Sequence, residues 1–582
     1  MNWHRYKAND PRVPSNYRGI SLISTICKLY THILNNRLVN YLETNSLIDD
    51  EQNGFRKDRS CEDHIFTLTS ILRNRKNANL DTFTCFVDMQ KAFDRVNRDI
   101  LYTKLAKIGV TGNFLDTLKQ LYTDCQAAVD VNGTYTAFFD ISSGVKQGDV
   151  ISPTLFAIFI NDLCQGMKEL NLGVKMHDHL IVSILLFADD IALIADSEEH
   201  LQRMLDFLSH WCSQNKMSVN ISKTKVVHFR KKNKALTDFE FKLGDSILEI
   251  CHKYKYLGVI LNEFLDFTET ANVLSESAGR AFSMLVSNLY KKVDVTWSTY
   301  SKMYKSKLVP IMDYCSSVCG FKLYSKPDTI HNRIIKFFLG VNKYTSTPVI
   351  HGDMGWDPPL IRRKVSMLRL WKRLICMDNT RLTKKIFLWD YSKCRNNWSH
   401  EVKKVFVDIG NIVAFQSCSL VNFENPRHFL QEVKLKLLDK YKHRWKNDID
   451  SQSKLSLLYI HIKREISVEL YVSMNMSKHL RSLLTQLRSG TLPLEIETGR
   501  YYGITREQRI CKQCNLNVIE NEQHFLFDCP KYVTYRTALH NRLQEANLDD
   551  TNFTVKMEFL FSSCKTIITL AKYIEISLKH HV

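Results

Sequence analysis

The run LLFADDIALIA, Leu185 to Ala195, sets two adjacent carboxylates, Asp189 and Asp190, inside an otherwise apolar stretch. Burying isolated carboxylates is very costly unless positive charge compensates them. Apolar flanks read as strands, so a hairpin with the acids at its tip is one solution, and a metal ion facing that tip would supply the charge. Two other Asp-Asp pairs serve as controls. Asp49-Asp50 in NSLIDDEQNG and Asp549-Asp550 in NLDDTNFT have polar neighbours and read as solvated turns.

A third acid sits in a comparable setting. In TFTCFVDMQKAFDRVN, Thr82 to Asn97, the strand formers Phe83, Cys85, Phe86 and Val87 end at Asp88. Asn97 then caps a helix whose apolar positions recur at helical spacing until Gly109. Asp88 therefore ends a strand that feeds a helix, a place where sites in mixed sheets are often built. Between the acids, Gly144-Val145-Lys146-Gln147-Gly148-Asp149 is a loop with two glycines and side-chain donors, which a substrate backbone can approach closely. Ser152-Pro153 predicts a helix start with Ser152 as N-cap, and Phe156, Phe159, Ile160 and Leu163 fall on one face.

A second chemistry lies near the end. In RICKQCNLNVIENEQHFLFDCPKY, Cys511 and Cys514 are followed by His524 and Cys529. Three thiolates and one imidazole can close a tetrahedral structural zinc site. Phe525, Phe527 and Tyr532 beside it suit packing of a small core better than stacking on bases.

These residues need a large protein to hold them. A chain of 582 residues is too long for one core, and its apolar content of 44% is that of a folded protein. The formal charge of +19, from 80 Lys+Arg against 61 Asp+Glu, suggests a polyanionic partner such as nucleic acid. Basic tracts at Lys223 to Lys234 and in IRRKVSMLRLWKRL, Ile361 to Leu374, are candidates for phosphate contacts, although such a helix more commonly lies on its own protein's core. The start MNWHRYKANDP lacks the apolar stretch of a secretory signal, and no run is long enough to cross a bilayer. The 16 cysteines are mostly scattered singly, a pattern of reduced thiols, so nucleus and cytoplasm are expected.

Taken in order, the segments resemble the reverse transcriptase of non-LTR (LINE-like, jockey-type) retrotransposons. FVDMQKAF resembles the family's first acidic motif, GVKQGDVISP the substrate-positioning motif and FADD the paired-acid hairpin. PSNYRGISLISTICKLYTHILNNRL, QNGFRKDRSCEDHI, NISKTKVVHF and YKYLGVIL match further blocks in family order, so the resemblance is strongest from about residue 12 to 262. It implies an α+β multidomain protein. A right-hand polymerase would have fingers over 1–80, a palm with an antiparallel sheet over 81–265, fingers elements interleaved, and a helical thumb over 266–345. A mainly helical region over 346–500, a Cys-Cys-His-Cys zinc knuckle over 501–540 and a helical tail over 541–582 would follow.

The implied activity is RNA-templated DNA synthesis by two-metal nucleotidyl transfer, as part of retrotransposition. Asp88 and Asp189 would be the principal ligands of two Mg²⁺ ions, with Asp190 as the third acid. Phe93 matches the position that excludes a 2′-hydroxyl, Gln147 the residue lying against the incoming nucleotide, Arg18 a triphosphate contact and Lys223 a proton donor to pyrophosphate. A structural Zn²⁺ would sit in the knuckle. The implied partners are an RNA template, a DNA primer or target and deoxynucleoside triphosphates. No membrane is implied, and nothing points to a protein partner. Three departures stand out: Gly19 where the family commonly has proline, Asn53 where it often has an aromatic, and Asp58 where it usually has glycine. Full-length family members often begin with an endonuclease. This chain opens almost directly on the first polymerase block, so the nuclease is expected to be lacking. Rival readings are a catalytically inactive nucleic-acid-binding remnant, and a group II intron maturase or telomerase-like palm polymerase.

Overall fold

The computed structural model describes residues 2–6, 17–131, 133–176, 180–290, 294–420, 427–455 and 457–581, and no side chains before residue 21. The chain divides into two compact units, the first made of residues 1–267 and 371–404, the second of residues 268–370 and 405–582.

The first unit is built on a five-stranded sheet. Its order is Ile184–Phe187, Asp190–Ala195, Thr82–Asp88, Lys225–Phe229 and Glu249–Ile250, antiparallel except for the last pair. The central strand is rich in Thr, Phe, Cys and Val, and all but its last residue are buried. Alternation sends Phe83, Cys85 and Val87 into a core with Ile191, Leu193 and Ala195, which the helices Ser152–Glu169 and Glu198–Gln214 cover. On the other face Phe86 stacks on Tyr254, with ring centroids 4.5 Å apart and planes 3° from parallel. Such a pair adds about 0.5–1.5 kcal/mol beyond its burial.

Local capping sets the helix starts. Ser60 and Asp63 form a capping box at the head of helix Cys61–Asn77, whose middle is buried nearly all round. Asn97 accepts from Ile100 N at 3.0 Å, and the helix Arg98–Lys107 stops before Gly109 (φ 89°). Ser152 differs from the expectation. Ile151 is the cap position and Ser152 the first helical residue, with its hydroxyl 3.5 Å from Tyr122 Oη. The buried tyrosine engages the oxygen that would otherwise have capped the helix.

The described part of the second unit is helical. Within the stretch 266–345 expected to be helical, Thr268–Leu285 is a helix followed by a π-turn over Val286–Tyr290. The unit buries the ion pair of Asp353 and Arg488, 0% and 1% exposed, bonded at 2.8 and 2.9 Å and joined by Tyr459 and Tyr471. Among the described residues no helix is long and apolar enough to cross a membrane.

Both basic tracts meet acids in their own units. Arg362 and Arg363 approach Asp313 at 2.7 and 3.6 Å, Lys364 pairs with Asp408 and Arg373 with Asp63. Lys225, Arg230 and Lys234 pair with Glu249, Glu263 and Asp81, which leaves Lys223 and Lys232 exposed.

Candidate active site

The strands Ile184–Phe187 and Asp190–Ala195 form a tight hairpin in which Phe187 pairs with Asp190 and Ala188-Asp189 make the turn. Ala188 has φ 58°, a left-handed backbone that favours glycine. The segment 51–54 holds this strained turn from behind. Leu186 N donates to Glu51 O at 3.0 Å, Asn53 N to Leu186 O at 2.9 Å, and Ala188 N to Gln52 Oε1 at 3.1 Å. Gly54 packs so closely that a Cβ there would lie 2.2 Å from Ala188 N.

Asp190 is directly opposite Asp88 in the ladder, so both carboxylates project from one face, beside the turn that carries Asp189. Asp88 N donates to Thr224 Oγ1 at 3.2 Å, and Asn220 N donates to Asp88 O at 2.8 Å. These bonds run the NISKTK segment alongside, with Lys223 Nζ 3.9 Å from Asp88 Oδ2. Burial, then the charges of Asp88 and Asp190, push the Tyr254 phenol up to about 12. Opposed carboxylates joined by a third in a turn are a hard-oxygen donor set that suits divalent cations.

The other residues singled out by sequence are placed as follows. Phe93 is 8% exposed, stacked on Phe156 at 4.8 Å and met edge-on by Phe55 at 6.5 Å. Gln147 is half-buried, and its carbonyl accepts from Ser21 N at 2.7 Å. Gly148 (φ +120°) follows it where a Cβ would lie 2.6 Å from Ser21 O. Arg18 belongs to the strand Tyr17–Ser21, and its side chain lies outside the described residues. Asn53, in place of an aromatic, is buried and bonded to His64 Nδ1 at 3.1 Å and Arg59 at 2.9 Å. Asp58 has φ 59°, a backbone that favours glycine and that aspartate tolerates.

Sequence reasoning missed Asp50. Instead of a solvated turn residue, its carboxylate takes Arg59 Nη2 at 2.5 Å and the backbone N of Leu382, and Arg381 Nε stands 3.5 Å away as an ion pair without a hydrogen bond. Its main partner in the distal segment is 332 residues away in sequence, so no local pattern marks it.

In the second unit, Cys511, Cys514, His524 and Cys529 bring one ligand atom each within 4.8 Å of the others. Cys511 N donates to Val518 O at 2.8 Å, and Gln513 N points at Cys511 Sγ at 3.4 Å. His524 Nε2 is 3.4 Å from Cys514 Sγ, and a π-turn over His524–Asp528 leads to Cys529, whose N donates to His524 O at 2.8 Å. Burial pushes the Cys511 and Cys529 thiols up and the His524 imidazole down, toward favouring its neutral form. A soft divalent cation would reverse the first effect and needs the second. Phe525 and Tyr532 are fully buried with centroids 5.2 Å apart, so they pack the core.

Residues 6–261 match the family described as reverse transcriptase (RNA-dependent DNA polymerase). The probable RNA-directed DNA polymerase from transposon BS of Drosophila melanogaster is 27% identical over 352 residues, 59% of this chain and 38% of that protein. The RNA-directed DNA polymerase from mobile element jockey of Drosophila funebris is 26% identical over 349 residues, 58% of this chain and 37% of that protein. The chain thus spans less than half the length of these relatives. A solved telomerase from Candida albicans, in complex with a fragment of telomeric RNA, aligns with 73% of this chain and 57% of that one at 12% identity and a TM-score of 0.34.

Proposed function

We propose that residues 6–261, which match the reverse transcriptase family, work as a polymerase domain of the kind found in jockey-type non-LTR retrotransposon proteins, and that the chain copies RNA into DNA during retrotransposition. The observation that carries this reading is the register that sets Asp88 opposite Asp190 at the foot of the turn bearing Asp189. Asp88 and Asp189 would hold two Mg²⁺ ions, with Asp190 beside them. When bound, the ions lower the pKa of a primer 3′-hydroxyl and neutralise the triphosphate.

The primer oxygen attacks the α-phosphorus of a deoxynucleoside triphosphate, the bond to pyrophosphate breaks, and the hydroxyl proton leaves to solvent. Lys223, beside Asp88 and exposed, is placed to return a proton to the departing pyrophosphate. Gln147 would lie against the incoming nucleotide, on a loop fixed through Ser21. Phe93 would close the space beneath the sugar, and Arg18 would meet the triphosphate. Residues 1–80 serve as fingers, 81–265 as palm and 266–345 as thumb. The Cys511, Cys514, His524 and Cys529 set would hold Zn²⁺ as a structural knuckle near the end of the chain.

The test is primer extension on an RNA template with Mg²⁺ and deoxynucleotides. The wild-type chain extends the primer, and Asp189→Asn loses about a thousandfold or more, ~4 kcal/mol of transition-state stabilisation, with unchanged secondary structure. Equal rates in the two proteins would refute the assignment.

A further inference from the structure

The family match ends at residue 261, yet the first compact unit also contains residues 371–404. We propose that residues 371–404 are a clasp that sets the position of the acid hairpin, with Arg381 as a positioning residue acting through Asp50. This rests on the polymerase reading above.

The clasp is fastened along the length of helix Cys61–Asn77. Arg373 pairs with Asp63, which is fully buried. Thr67 Oγ1 donates to Thr383 Oγ1 at 3.2 Å and Asn74 Nδ2 to Asp390 Oδ1 at 2.5 Å. At the far end Asn77 Nδ2 donates to Arg395 O at 2.9 Å, and in the first half of the helix Phe66 meets Trp398 edge-on at 4.9 Å. Asp390 is fully buried and takes Ser399 Oγ at 2.6 Å and Ser399 N at 2.9 Å as well. Both Asp390 carboxylate oxygens are thus hydrogen-bonded, and a buried polar network satisfied in this way fixes one arrangement.

The near end of the clasp reaches the active-site turn. Helix Leu382–Lys393 begins with its first backbone N on the Asp50 carboxylate, which also receives Arg59 and faces the Arg381 guanidinium, whose buried Nε lies 3.5 Å away as an ion pair without a hydrogen bond. Arg59 Nη1 continues to Asn53 Oδ1 at 2.9 Å. The residues after Asp50 are those that grip the hairpin: Glu51 O takes Leu186 N, Gln52 Oε1 takes Ala188 N, and Gly54 lies against Ala188. Asp50 is therefore one covalent step from the backbone that seats the turn carrying Asp189. Loosening it moves a metal ligand, and a displacement of about 1 Å at a reacting centre can cost a hundredfold in rate.

The experiment uses the full chain with Arg381→Ala, Arg381→Lys and, as a control on an exposed position of the same helix, Lys385→Ala. In primer extension Arg381→Ala is expected to lose roughly 10- to 100-fold in kcat, with KM for the deoxynucleotide unchanged. The Mg²⁺ concentration for half-maximal rate is expected to rise by about tenfold. Arg381→Lys restores part of the rate, and Lys385→Ala matches wild type.

Hydrogen exchange read on the same proteins is independent of catalysis. The amides of Leu186 and Ala188 exchange at least about tenfold faster in Arg381→Ala and less so in Arg381→Lys. Should the alanine variant fail to fold, the lysine variant carries both readouts. Wild-type exchange at 186 and 188 together with wild-type kcat and Mg²⁺ dependence in the arginine variants would overturn the clasp. A wild-type chain that extends no primer would refute the polymerase reading, and exchange at 186 and 188 would still decide the clasp.

Discussion

Asp88 and Asp190 are directly opposed across the antiparallel pair that forms the centre of the sheet, and both project beside Tyr254. Like charges in that relation destabilise a sheet. Lys223 at 3.9 Å offsets part of the repulsion, and it is an exposed side chain that substrate can draw away. The sheet is thus strained at the point where cations would bind.

Relieving that strain should stabilise the protein while disabling it. Asp190→Asn is expected to raise the stability of the metal-free chain by about 0.2–1 kcal/mol, read by denaturant unfolding, while extension falls. A destabilised variant would show that the opposed acids do not repel in the absence of ions.

Phe93 is packed between Phe156 and Phe55. Phe93→Val opens space at that point. Ribonucleotide incorporation relative to deoxynucleotide should rise by at least about tenfold, at a stability cost of about 1–3 kcal/mol. Competition between the two triphosphates on one template measures it, and an unchanged ratio removes Phe93 from sugar selection.

The Cys511, Cys514, His524 and Cys529 set should carry one zinc per chain, measured by elemental analysis of the purified protein. A strong chelator, or Cys514→Ser, is expected to lower the melting temperature of the second unit and leave the first unit's transition in place. A chain that melts identically with and without chelator carries no structural metal at this site.

His64 is fully buried, and its imidazole is held down to about 3 by loss of solvent, with Nδ1 accepting from Asn53. The ordinary imidazole value is about 6.5. A histidine depressed on folding contributes stability that is complete above pH ~6.5 and disappears as pH falls toward the folded value. Between pH 7.5 and 5 this one group should cost the first unit about 2 kcal/mol. His64→Gln keeps an acceptor for Asn53 and removes the titration, so its stability relative to wild type should improve by that amount over the same interval. Parallel pH profiles would count against a neutral, buried His64.

Much of this architecture is legible in short windows. The alternation before Asp88, the apolar flanks of the paired acids, Asn97 as a cap and the Cys-x-x-Cys run all rest on interactions within a few residues. What was not legible depends on distant partners. Asp50 looks like a solvated turn until Arg381 and Leu382 arrive from the other end of the unit. Ser152 is the best capping residue in its window, but Tyr122 takes its hydroxyl. The basic helix around Arg362 has the composition of a phosphate-binding surface, and only the fold reveals that Asp313 and Asp408 neutralise most of one side. Asn53 and Asp58 look like damage in a string of letters. In three dimensions one is bonded to His64 and the other occupies a left-handed turn that aspartate accepts.

The discontinuity of the first unit has a consequence for how the protein is made. The chain is threaded out of the ribosome in order, so residue 267 emerges well before residue 404. At ordinary elongation rates the delay is on the order of ten seconds. Throughout it Phe66 waits without Trp398, and Asp63 without Arg373. A message cut short before codon 371 would specify all three acids while omitting the segment that completes their compact unit.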